Sequence, residues 1–186
     1  QHGKFTVIHN GIIENYAHLK KELVNRGYEF KSDTDTEVLA NFIESIYLDN
    51  KVEPEIAVRL ALSKVVGAYG LVISCADESH KLIAARKGSP LVIGVGKGEY
   101  FLASDATPII EYTDKVIYMN DDDVAIITKD ELDLKNIQND KLTPNIQQIF
   151  LNIEEIDKGG YEHFMLKEIH EQSHTIADTF RGRISM

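Results

Sequence analysis

Two observations in the sequence predict an α+β domain with antiparallel strands. Through roughly the first third of the chain, after one short strand, apolar residues recur at helical spacing. From Tyr69 onward the pattern shortens to strand-like runs divided by turn residues. Helices followed by consecutive strands do not fit the strict βα alternation of a doubly wound parallel sheet. The chain has 186 residues, and a domain of that size buries about 70% of its unfolded surface, so it needs no disulfide or metal to hold a core.

The elements follow in order. Phe5 to Ile8 is a short β-type run closed by Asn10-Gly11. Asn15 to Arg26 is a helix, with Tyr16, Leu19, Leu23 and Val24 on one face and Gly27 after its last turn. A second helix opens at Thr34 or Asp35, with Thr34 and Glu37 at capping-box spacing and Val38, Leu39, Phe42, Ile43 and Ile46 facing inward. Pro54 suits the first turn of a third helix, whose buried stripe reads Ile56, Leu60, Ala61 and Val65. Strands are expected at 69–74, 81–86, 91–95, 100–103, 116–119 and 124–128, at a meander-like spacing, with one or two helical turns between Asp105 and Tyr112. Phe164 to Phe180 is a polar helix, and Gly159-Gly160 is the candidate hinge before it.

Composition narrows the function. The net charge is −10, which gives nucleic acid and anionic membranes no favourable counterion release. No apolar stretch reaches membrane-spanning length. A single cysteine, Cys75, excludes an internal disulfide and a cysteine-cluster metal site and fits a reducing compartment. No cofactor motif stands out. Gly94-Val95-Gly96-Lys97-Gly98 lacks the spacing of a phosphate loop and reads as a hairpin turn. His170 and His174 stand four residues apart with no evident third ligand, so no metal is expected. Asp121-Asp122-Asp123 is most simply a solvated turn.

Asn10-Gly11 is the most informative pair. Spacing alone favours a type I′ turn. The functional alternative is an oxyanion site, in which an Asn side-chain amide and a Gly backbone N–H converge on a developing negative oxygen. In Ser32-Asp33-Thr34-Asp35-Thr36-Glu37 the default is helix capping, and the alternative is a carboxylate that holds a ligand ammonium.

His9-Asn10-Gly11-Ile12-Ile13-Glu14-Asn15 together with Ser32-Asp33-Thr34-Asp35-Thr36-Glu37 resembles the glutaminase domain of class II glutamine amidotransferases. Gly67-Ala68-Tyr69-Gly70, Ala84 to Gly94, Ala103-Ser104-Asp105, His163 to Gln172 and Arg181-Gly182-Arg183-Ile184-Ser185 narrow the likeness to glutamine–fructose-6-phosphate aminotransferases, also called glucosamine-6-phosphate synthases. The resemblance implies an N-terminal-nucleophile hydrolase fold, a four-layer αββα sandwich, present here in incomplete form. It implies an N-terminal cysteine as nucleophile with its own amine as base, Asn10 and Gly11 as the oxyanion hole, and Asp35 as the carboxylate for the glutamine α-ammonium. It further implies a cytoplasmic homodimer that uses glutamine and fructose 6-phosphate.

On that resemblance, residues 1–158 are the glutaminase part and 159–186 the connection to a sugar-isomerase domain. The nucleophile and an Arg-Trp-Ala-Thr-His-Gly segment are expected upstream of Gln1, and the isomerase domain downstream of Met186. Missing strands upstream would leave a sheet edge open to self-association. The competing readings are a glutaminase feeding another acceptor and a non-catalytic binding domain of the same fold.

Overall fold

The computed structural model describes residues 3–149 and 160–180, without the side chains of 174, 175 and 177–180. By its internal contacts the chain divides into two units, 1–149 and 150–186.

The first unit is built on two antiparallel sheets. Strands β1 (Phe5–Ile13), β2 (Gly67–Cys75), β3 (Leu82–Lys87), β7 (Asp123–Ile127) and β8 (Leu132–Asn136) form one, in the order β1-β2-β3-β7-β8. Strands β4 (Val92–Val95), β5 (Tyr100–Ala103), β6 (Lys115–Tyr118) and β9 (Gln147–Gln148) form the other, in the order β5-β4-β6-β9. The expected meander is therefore interrupted: after β3 the chain crosses to the second sheet for three strands and returns with β7. Strand periodicity specifies which face is buried but not which partner a strand takes.

Helices α1 (Tyr16–Asn25), α2 (Asp35–Asn50) and α3 (Pro54–Leu62) cover the outer face of the first sheet. Phe5, Ile13, Tyr69, Leu71, Ile73, Ile83 and Val124 pack there against Leu23, Leu39, Ile43, Val58 and Leu62. Between the sheets, Ala84, Ala125 and Ile127 meet Leu91, Ile93, Ile117 and Met119. The small alanines on one sheet leave room for the branched residues of the other, as close packing requires. Val92, Ile109 and Val116 close the far side of the second sheet, where the segment 105–113 forms turns through Ile109 N–H to Ala106 O and Thr113 N–H to Ile109 O, both near 3 Å.

Helix ends follow local chemistry. Thr34 caps α2, its hydroxyl accepting the Glu37 N–H at 3.3 Å. The Glu37 carboxylate does not return to Thr34 as in a reciprocal capping box. It accepts the N–H groups of Lys31 and Ser32, at 2.8 and 2.6 Å, and so shapes the approach to the helix. Helix α2 is buried nearly all round from Val38 to Ile46 because α1, α3 and β1 surround it. In α3 the buried stripe is Ala57, Val58, Ala61 and Leu62, so Leu60 falls on the solvent side, contrary to the stripe expected from the sequence. Val24 is likewise exposed on α1.

The largest correction concerns Asn10-Gly11. The pair does not close a strand in a turn. It lies inside β1, with Asn10 opposite Gly70 and Gly11 opposite Tyr69. The partner strand arrives more than fifty residues later, and no local signal encodes it. The glycine is needed for a different reason. Gly11 has φ +139°, and a Cβ there would stand 2.1 Å from Ala68 O. Gly67 mirrors it across the ladder, with φ +137° and a Cβ position 2.1 Å from Ile12 O. The two glycines bracket the Ile12–Ala68 pair and let the backbones approach. Asp121-Asp122-Asp123 is also more than a solvated turn. Asp121 accepts the Gly88 N–H at 2.8 Å, and Asp123 is buried and accepts the Asn120 N–H at 2.7 Å.

The second unit contains helix α4 (Phe164–Phe180), with the span expected from the sequence. Its Tyr161 and His170 rings stack with centroids 5.2 Å apart. Gly160 has φ +83°, while Gly159 and Arg181 to Ser185 lie outside the described residues.

Gly67→Ala should destabilise the fold by more than about 2 kcal/mol, through a disallowed φ and a backbone collision. Gly98→Ala should cost about 1 kcal/mol, because Gly98 also has positive φ but nothing stands within 4 Å of the added carbon. Urea unfolding of the two variants would compare them, and equal losses would contradict the close-approach explanation.

Candidate active site

The site forms where the open edge of β1 meets the N-terminus of α2. Strand β1 is an outer strand of its sheet. Glu14 N–H donates to Val66 O and Ala76 N–H to Lys4 O, both at 2.8 Å, which sets the phase of the ladder. In an antiparallel pair, alternate residues turn their N–H and C=O groups toward the partner. Even-numbered residues of β1 therefore face β2, and His9, Gly11 and Ile13 present their backbone groups to the open edge. Asp35, the first residue of α2, takes one of these groups: Ile13 N–H donates to its Oδ2 at 2.8 Å. Gly11 N–H lies two residues back along the same edge, about 7 Å away at the usual strand rise.

Asn10 and Gly11 are exposed, and Asp35 is half-buried. Gly11 and Asp35 thus share the open edge of β1, whereas Asn10, by the same alternation, lies with Ile8 and Ile12 on the side of the strand turned away from the helices. An open groove of about 250 Å³ lies beside Asp35, lined by Val7, Lys31, Ser32, Thr34, Thr36, Glu37 and Ala40. None of the three residues lines that groove itself.

Two residues given no role from the sequence also belong here. The His9 imidazole is 2% exposed, with Nδ1 at 3.0 Å from Thr36 Oγ1 and 3.9 Å from Asp35 Oδ1. Burial lowers its pKa below the ordinary histidine value, opposed by the Asp35 charge and the Ala68 backbone. The available signal was alternation: with its phase known, His9 shares the helix-facing side of β1 with Val7 and Ile13. Asn15 supports the end of the strand. Its Nδ2 donates to Lys64 O at 2.9 Å and its Oδ1 accepts the Val66 N–H at 3.0 Å, so the side chain extends the ladder past Ile13.

A profile described as a glutamine amidotransferase domain matches residues 1–111. The chain belongs to this glutamine amidotransferase domain family. Related sequences agree with the membership. The chain is 52% identical over 184 residues to the glutamine–fructose-6-phosphate aminotransferase (isomerizing) of Bacteroides thetaiotaomicron, covering 98% of this chain and 30% of that protein. It is 50% identical over 183 residues to the enzyme of the same name from Chlorobaculum tepidum, with 98% and 30% covered. The chain thus spans about 30% of the length of these curated relatives. Among solved structures, it is similar to glutamine phosphoribosylpyrophosphate amidotransferase from B. subtilis, with TM-score 0.63 and 25% identity over 74% of this chain and 30% of that one.

As an amidotransferase domain, the chain carries two packed antiparallel sheets of the N-terminal-nucleophile hydrolase kind. Its cysteine is not placed as a nucleophile. Cys75 ends β2 opposite Phe5, roughly 20 Å along the strand from Gly11 at the usual rise. It is buried, and burial raises its thiol pKa. Among the described residues, no three His, Cys, Asp or Glu side chains gather as metal ligands, and no helix is long and apolar enough to cross a membrane.

Cys75 should react with Ellman's reagent at least about 100-fold more slowly in the native chain than in urea, because a buried thiol reacts only on opening. Native reaction at the unfolded rate would contradict its burial.

Proposed function

We propose that this chain carries the oxyanion hole and the ammonium-binding carboxylate of a glutaminase, within a glutamine–fructose-6-phosphate aminotransferase. The observation that carries the reading is the open edge of β1, where Gly11 N–H stands two residues before the Ile13 N–H that anchors the Asp35 carboxylate at 2.8 Å, with Asn10 exposed next to Gly11. Glutamine laid along this edge would put its α-ammonium on Asp35. Three carbons further on, its amide carbonyl would reach Asn10 and Gly11. Attack of a thiolate on the amide carbon moves the carbonyl electron pair onto oxygen, where the two N–H donors stabilise it. The C–N bond then breaks, ammonia leaves with a proton, and water hydrolyses the thioester to glutamate. On this reading, as the resemblance implies, the nucleophile is an N-terminal cysteine of the complete enzyme, its amine serving as base.

The released ammonia would pass to fructose 6-phosphate and yield glucosamine 6-phosphate in the rest of the enzyme. The identities of 52% and 50% to aminotransferases, against 25% to the phosphoribosylpyrophosphate enzyme, favour this acceptor. Residues 159–186 would connect the two parts, and a cytoplasmic homodimer goes with the same reading.

In the complete aminotransferase, Asn10→Ala should lower kcat for glutamine hydrolysis about 10²–10³-fold with little change in KM, as for a donor used in the transition state. Asp35→Asn should act mainly by raising KM. Steady-state ammonia release measures both, and an Asn10 effect confined to KM would overturn the oxyanion role. The 186-residue polypeptide alone should release no ammonia from glutamine. Turnover that survives Cys75→Ala would contradict the need for an external thiol.

A further inference from the structure

His9 has the best-defined geometry not used by the proposed chemistry. Thr36 Oγ1 stands between its Nδ1, at 3.0 Å, and Asp35 Oδ1, at 3.4 Å, with the Thr36 hydroxyl donating to the carboxylate. The Thr36 hydroxyl has one hydrogen and two lone pairs, so it can donate to Asp35 while it is bonded to the ring. The other ring nitrogen, Nε2, is buried with no hydrogen-bond partner among the described residues.

Both oxygens of Asp35 are therefore held by β1. Oδ2 takes Ile13 N–H, two residues after Gly11, and Oδ1 is reached through Thr36 from His9, two residues before it. We infer that His9 is a positioning residue which, through Thr36, sets the orientation of the Asp35 carboxylate relative to Gly11. The distance between the ammonium and carbonyl ends of a bound glutamine is thereby fixed. This inference rests on the role of Asp35 proposed above.

A histidine that merely filled space would affect all substrates alike, whereas a positioning role is confined to substrates that use Asp35. The test compares glutamine with 4-carbamoylbutanoate, which is glutamine without its α-ammonium, in the complete aminotransferase. His9→Leu and the near-isosteric Thr36→Val should each raise KM for glutamine about tenfold, change kcat by less than about threefold, and cut the preference for glutamine about tenfold. His9→Asn, whose amide nitrogen can stand near the Nδ1 position, should restore most of that preference. Thr36→Val serves if His9→Leu does not fold. Equal losses on both substrates, or an unchanged preference in Thr36→Val, would overturn the positioning role while Asp35→Asn still abolished the preference. If Asp35→Asn itself left the preference intact, the reading of Asp35 would fail and the role of His9 with it.

Discussion

One hydrogen bond organises the candidate site: Ile13 N–H to the Asp35 carboxylate at 2.8 Å. An outer strand exposes a row of unpaired backbone groups, and a native protein must cover, charge or use them. Here one is taken by the first residue of a helix, where a carboxylate is also favoured by the helix dipole. The same contact fastens α2 to the end of β1 and places a negative charge beside the neighbouring N–H donors. Without it the edge would carry N–H donors with no anionic group beside them.

The ladder beneath that contact depends on two glycines. Gly11 and Gly67 face each other's neighbours across β1 and β2, each with a backbone oxygen where a Cβ would lie. Behind them, Gly88 approaches Ala68, and Asp121 holds the Gly88 N–H while pairing with Arg86 at 3.2 Å. The strand opposite the site is thus backed by a loop that is itself pinned. Such backing is what a preorganised donor needs, since a donor that must reorient during reaction loses much of its electrostatic advantage.

Outward from the site the edge is less protected. Ile8 and Ile12 are 68% and 66% exposed on the face of β1 turned away from the helices. The second sheet lies over the middle of the first, where Ala84 and Ala125 meet Ile93 and Ile117, and does not bury this pair. An apolar outer strand is a template for further pairing.

Much of this was legible in the sequence. Thr34 as cap, the inner face of α2, Pro54 at the start of α3, the β4–β5 hairpin and the span of α4 all follow from interactions within a few residues of each other. The motif residues Asn10, Gly11 and Asp35 could be singled out as chemistry-bearing, but not placed. Whether Asn10-Gly11 turned a hairpin or ran through a strand depended on β2, more than fifty residues away. The division of strands between two sheets, the burial of His9 against Thr36, and the contact of Asp35 with Ile13 are likewise long-range. Local spacing constrains φ, ψ and the buried face of each element. Which backbone group meets which carboxylate is decided only when separate elements pack, because that choice minimises buried unpaired polar groups over the whole fold.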